Sequence, residues 1–170
     1  AVGPEPGYAD IAISVGNPTL STLATEWRSL VGERNPGFQR VRWEQTLRVE
    51  MTTLDALIER FGEPRFIKID VEGFEAEVLQ GLSHPVAALS VEFVAGMLEV
   101  SHACLAQINR LGDYRFNAIA GEQRQFRFAT WQTPNAMAAW LAEGAGNLAS
   151  GDIYACRSDH PLLAAPLANH

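Results

Sequence analysis

Phe66-Ile67-Lys68-Ile69-Asp70-Val71-Glu72-Gly73-Phe74-Glu75-Ala76-Glu77-Val78-Leu79-Gln80-Gly81-Leu82 changes its period in the middle, and that change decides the fold. Phe66 to Val71 is a short apolar, β-branched run, the pattern of a strand buried on both faces. From Phe74 onward, Phe74, Val78 and Leu82 recur every four residues, which puts them on one face of a helix. Asp70, Glu72 and Gly73 sit between the two periods. In an open α/β sheet the carboxyl ends of the strands are where ligands bind, so these residues mark the expected reaction centre.

The flanks repeat the alternation. Upstream, Leu47 to Met51 is expected as a strand. Thr52 and Asp55 then read as a capping box for a helix with Leu54, Leu57, Ile58 and Phe61 at core spacing, stopped by Gly62 and Pro64. Downstream, Ala88 to Val94 is an apolar strand carrying one polar residue, Glu92, near its carboxyl end. A helix follows from about Glu99 to Gly112, with Val100, Ala103, Cys104, Ile108 and Leu111 on one face. Tyr114 to Ile119 is the next strand. Gln125 to Thr130 alternates as an exposed edge would, and Thr133-Pro134 opens a helix that ends at Gly144. Asp152 to Cys156 is a last strand with an antiparallel look. At the other end, Tyr8 to Ser14 is a strand, and the stretch from Asn17 to Leu23 reads as a polar loop leading towards Trp27. Strands alternating with helices predict right-handed crossovers and a mostly parallel sheet.

The chain of 170 residues has the length of one domain, and its 47% hydrophobic and 19% charged content is ordinary for a globular one. Thirteen basic against twenty acidic residues give a net charge of −7, which argues against nucleic acid as the partner. No apolar run approaches the roughly 18–20 residues needed to cross a membrane, and no signal peptide is visible. Cys104 and Cys156 lie among apolar neighbours and read as reduced core residues, so a cytoplasmic setting is expected.

Asp70 and Glu72 share strand parity, and Glu92 stands at the comparable end of the next strand. If those strands are neighbours, three carboxylates converge and need a cation, a hydroxyl or amine, backbone N–H groups or water to meet them. Crowding would also raise their pKa values, as suits a general base. The structural alternative stands beside this: Glu72 capping the helix, Asp70 bonding turn amides, and Glu92 paired with Arg or Lys. Lys68 is expected at the rim or on a carboxylate, His84 in a turn and His102 on a helix surface. Arg124, Arg127 and Trp131 fit either an edge strand or an anionic or aromatic ligand. No histidine pair has metal-ligand spacing.

Thr53-Leu54-Asp55-Ala56-Leu57-Ile58, the run from Phe66 through Glu75, and Glu77-Val78-Leu79 with Gly81 together resemble the FkbM family of S-adenosylmethionine-dependent methyltransferases. Weaker likeness at Ala1-Val2-Gly3, Ser21-Thr22-Leu23 and Val91-Glu92-Phe93 extends the resemblance over most of residues 1–160. It implies an α/β, Rossmann-like class I sheet with helices on both faces, and the Lys68–Glu72 strand as the fourth of seven. It also implies methyl transfer from S-adenosylmethionine to a hydroxyl of a small metabolite, sugar or polyketide. By that likeness the catalytic residues are Asp70, Glu72 and Glu92. Asp70 also faces the cofactor, and no metal is assigned.

Such enzymes carry a Gly-rich loop and an acidic ribose ligand before the point where this chain begins. Gly3, Gly7 and Gly16 sit around prolines and follow no buried strand. Residues 1–160 are therefore expected as a methyltransferase-like domain lacking the first two or three strands, and residues 161–170 as a loosely held tail. The chain would be a fragment of a longer enzyme or a reduced homologue. The alternative function is a non-catalytic α/β binding module that no longer binds the cofactor. A metal-assisted version would use Asp70 and Glu72 as hard oxygen ligands. An uncovered sheet edge would make the protein a homo-oligomer.

Overall fold

Local signals place most elements of the computed structural model, which describes residues 1–164. β1 (Gly7–Ile13) and β2 (Gln45–Met51) are joined through α1 (Thr25–Arg34). The helix α2 (Leu54–Phe61) follows, then β3 (Ile67–Ile69), α3 (Glu75–Gln80), β4 (Ala88–Val94) and α4 (Leu98–Leu111). β5 (Tyr114–Ala120), α5 (Pro134–Ala142) and β6 (Ser150–Arg157) complete the domain. The N-cap of α2 is Thr53, whose hydroxyl accepts from the Ala56 N–H at 3.1 Å, one residue beyond the Thr52 expected from sequence. Thr133 caps α5 as expected, accepting from the Ala136 N–H.

The main sheet runs in the order β3-β4-β6-β5. β3 and β4 are parallel, with Ile69 beside Val91, whereas β6 lies antiparallel to both β4 and β5. The expected mostly parallel sheet is thus a mixed one. β3, β4 and β5 run the same way, and the returning β6 separates β4 from β5. Segment 125–132 meets the outer edge of β5 only through isolated bridges, Ile119 with Phe126 and Phe116 with Gln132. The Asn117 side chain fills the gap in the ladder, accepting from the Phe128 N–H and donating to its carbonyl.

Two features of the N-terminal end depart from what the sequence pattern suggests. β1 and β2 pair with each other as a separate antiparallel ribbon and do not join the main sheet. The loop from Asn17 to Leu23 leads into α1, a helix the pattern does not announce, whose buried residues are only Trp27 and Val31, four apart. So narrow an apolar stripe, with no side-chain cap at Ala24, leaves little periodic signal.

The core is built between the sheet and one helical layer, in which α3 packs on α4 and α4 on α5. Leu89, Val91 and Phe93 of β4 are buried there together with Leu79, Ile108, Phe116, Met137 and Ile153. Among the described residues the expected second helical layer is replaced by aromatic rings. Tyr154, on the other face of β6, stacks on Phe66 with centroids 5.9 Å apart and meets Phe126 edge-on at 5.4 Å. A smaller cluster of Trp27, Val31, Val94 and Met97 binds α1 over the carboxyl ends of the strands. Both cysteines are free and buried, as expected. Of the expected tail, Pro161–Ala164 form a 3-10 turn, and the part from 165 onward lies outside the described residues. No described helix is long and apolar enough to cross a membrane.

Candidate active site

Because β3 and β4 are parallel neighbours in register, their carboxyl ends bring Asp70 and Glu92 side by side. Glu72 joins them by a route that strand parity does not describe. β3 ends at Ile69, and Glu72 takes a left-handed backbone with φ 54° in the turn before α3. A side-chain oxygen from each of Asp70, Glu72 and Glu92 lies within 4.8 Å of the other two. Asp70 is exposed, Glu92 half-buried and Glu72 buried at 8% exposure. At such separations, two ionised carboxylates repel by about 3–4 kcal/mol where the effective dielectric constant is ~20.

The structural alternative fails for Glu72, whose Oε2 is buried and has no hydrogen-bond partner. The capping role belongs to Glu75, which is 2% exposed. Its Oε1 accepts from the Val71 N–H at 3.0 Å and the Gly73 N–H at 3.2 Å, closing the turn. Glu92 has no ion pair with Arg or Lys among the described residues. Its charged surroundings are Glu72, Asp70, Glu75 and Asp152. Burial, with Asp70 and Glu75 adding to it, pushes the Glu72 carboxyl up to about 7. Burial again leads for Glu92, followed by Glu72 and Asp70, and raises it to about 8. Glu75 is also raised, by burial, against the pull of its own backbone hydrogen bonds.

Lys68 pairs with carboxylates, one of the two roles expected of it. Its Nζ lies 3.2 Å from both oxygens of Asp152 and 3.4 Å from Asp70 Oδ2. Asp152 went unnoticed in the sequence because it reaches the site from β6, opposite Glu92, through the antiparallel insertion. Glu75 is visible in the motif, but its role depends on a left-handed turn that sequence pattern does not reveal. His102 is half-buried on α4 outside the carboxylate trio, and His84 lies in the turn after α3 with Nδ1 3.3 Å from Asp55 Oδ1. Arg127 belongs to the β5 edge, where its N–H donates to Ala118. Arg124 is exposed, and Trp131 packs on Phe126.

The turn is clamped from above by α1 and the loop before it. The Thr22 hydroxyl donates to the Glu72 carbonyl at 2.6 Å, and Trp27 covers Gly73 so closely that a Cβ there would lie 2.2 Å from its Cγ. Gly73 also has φ 90°, a second reason for glycine at this place. Beside the clamp opens a cleft of about 240 Å³, lined by Trp27, Leu30, Phe74 and Val100 and, at its rim, by Glu77 and Glu99. A void of about 10 Å³ runs beneath it, bounded by Trp27, Gly73, Glu75, Glu92 and Ser101.

The chain is an α/β domain whose acidic cluster stands at the carboxyl ends of two parallel strands, the place where open α/β sheets bind ligands. The family follows from comparison: residues 1–146 match the family model described as a methyltransferase FkbM domain, and the chain belongs to that family. Neither the curated proteins nor the solved structures contain a match to the chain. The family identifies a methyltransferase domain, as the motif from Phe66 to Glu75 implied.

Proposed function

We propose that this chain carries the acceptor side of an S-adenosylmethionine-dependent O-methyltransferase, acting on a hydroxyl of a small metabolite, sugar or polyketide. The observation that carries this reading is the convergence of Asp70, Glu72 and Glu92 beside the cleft under Trp27. Of the three, only Asp70 has a structural partner, Lys68, and it is Glu75 that closes the turn.

S-adenosylmethionine supplies an electrophilic methyl carbon on a sulfonium centre. The donor set here suits its cationic groups: three carboxylates, one with a buried unpartnered oxygen, attract a sulfonium or ammonium and repel a second carboxylate. Asp70, the exposed member, would hold the cationic part, and Lys68 fixes its side chain from behind. Glu72 in the turn and Glu92 on β4, both less exposed than Asp70, orient the acceptor hydroxyl and take its proton. The apolar walls of the cleft, Leu30, Phe74 and Val100, exclude water from the acceptor's carbon skeleton. Rate enhancement would come mostly from holding the acceptor oxygen in line, which a turn fixed at Thr22, Glu75 and Trp27 is suited to do.

Calorimetry with S-adenosylmethionine on the longest natural protein that carries this chain, followed by a methylation assay over a panel of hydroxylated acceptors, tests this. Binding, with turnover lost in Glu92→Gln and Asp70→Asn, supports the proposal. Absence of S-adenosylmethionine binding overturns it.

A further inference from the structure

We infer that Asp70, Glu72 and Glu92 form a binding site for a hard divalent cation, which in turn presents open coordination positions to oxygen atoms of the acceptor. Three carboxylate oxygens within 4.8 Å of one another have the spacing of ligands around one ion. At calcium–oxygen distances of about 2.3–2.6 Å, oxygens around one ion lie at most about 4.6–5.2 Å apart, and three spread evenly around it about 4.0–4.5 Å, so separations within 4.8 Å suit a calcium-sized ion. Magnesium, at about 2.1 Å per bond, requires a tighter set.

Two further observations point to a ligand in addition to the acidic cluster. Glu72 is more than nine-tenths buried, at 8% exposure, and its Oε2 has no hydrogen-bond donor among the described residues. The nearby cation does not meet this need, because Lys68 reaches Asp152 and Asp70 from the exposed side. Independently, the hydroxyl of Ser101 on α4 is buried at 1% exposure and has no partner, and Ser101 bounds the same small void as Glu92 and Glu75. A cation on the carboxylates gives the buried Glu72 oxygen a partner, and a water in the void between Glu92 and Ser101 gives one to the hydroxyl.

The surrounding charges favour this occupant. Glu75 and Asp152 add negative charge around the trio, and Lys68 is the only basic side chain that contacts it among the described residues. Each carboxylate needs to give only one oxygen to the ion, so the second oxygen of Glu72 or Glu92 remains to receive the acceptor's proton. The acceptor class is thereby narrowed to molecules with two neighbouring oxygens, such as vicinal diols or hydroxy-carbonyl groups, which hold a hard cation as a chelate. This narrowing rests on the methyltransferase reading, whereas the cation site itself does not.

Titration of the metal-free full chain with Mn²⁺, followed by the loss of its free-ion electron paramagnetic resonance signal, tests the site without methyl donor or acceptor. One Mn²⁺ per chain is expected, displaced by Ca²⁺. Affinity should weaken on the order of tenfold or more in both Glu72→Gln and Glu92→Gln. Asp55→Asn, a carboxylate outside the centre, should leave it unchanged. Both glutamine variants remove repulsion, so thermal unfolding verifies that they fold. No uptake at millimolar Mn²⁺, or uptake indifferent to both glutamine substitutions, overturns the proposal. Mn²⁺ uptake without S-adenosylmethionine binding would instead sink the methyltransferase reading and leave the cation site standing.

Discussion

Two strand-to-helix turns in this chain use carboxylates in opposite ways. Between β2 and α2, each polar group described has a structural partner. Thr53 caps the helix, and Asp55 accepts from the Ser83 N–H at 2.9 Å and faces His84. Between β3 and α3, Glu75 is used in the same manner, holding the N–H groups of Val71 and Gly73. Glu72, three residues earlier and also buried, has an Oε2 without a partner, and its charged neighbours are other carboxylates. The first turn is organised for stability alone. The second combines a well-made scaffold with a destabilised acidic centre, the combination expected where a ligand supplies the missing partner.

The largest expected effect tests the scaffold. Gly73→Ala combines an unfavourable φ of 90° with a Cβ placed 2.2 Å from the Trp27 ring, so it should cost about 3 kcal/mol or more in denaturant unfolding. A loss under about 1 kcal/mol would show that α1 does not clamp the turn. Glu75→Ala should follow, at about 2 kcal/mol, because it orphans two N–H groups. Glu72→Gln should move the other way, since an amide there donates to a neighbouring carboxylate and removes one charge.

The pH dependence separates the turns further. Glu72 and Glu92 have folded-state pKa values raised to about 7 and about 8, so the native state holds protons that the unfolded chain releases near pH 4.5. Their contribution to stability is greatest below that value and is lost as pH rises from about 4.5 through 8. Unfolding by urea across this range, in metal-free buffer, should show the decline in wild type. A flatter profile is expected in Glu92→Gln. The smallest effect is at the first turn: Thr53→Ala should cost about 1 kcal/mol, with the slope against pH unchanged.

The legible parts of the fold were those with strong periodicity and local punctuation. The strand–turn–helix from Phe66 to Leu82, the helix closed by Gly112 and the Thr133 cap follow from short-range physics, which sequence carries directly. The convergence of Asp70 with Glu92 was also legible, because it needs only that consecutive β3 and β4 be parallel neighbours. What escaped depends on long-range placement. The α1 helix is held by two buried residues and the cluster around Met97, not by its own pattern. β1 and β2 read as strands, yet their pairing into a separate ribbon is a tertiary choice. Asp152 becomes a neighbour of Lys68 only because β6 inserts between β4 and β5. The exchange of roles between Glu72 and Glu75 turns on one left-handed residue.

The most direct test of an acidic centre kept for a ligand is the unfolding free energy of Glu72→Gln against wild type at pH 8 in metal-free buffer. The variant should be the more stable of the two. A variant less stable than wild type would show that the Glu72 carboxylate holds the turn together, as Glu75 does, and would contradict the account.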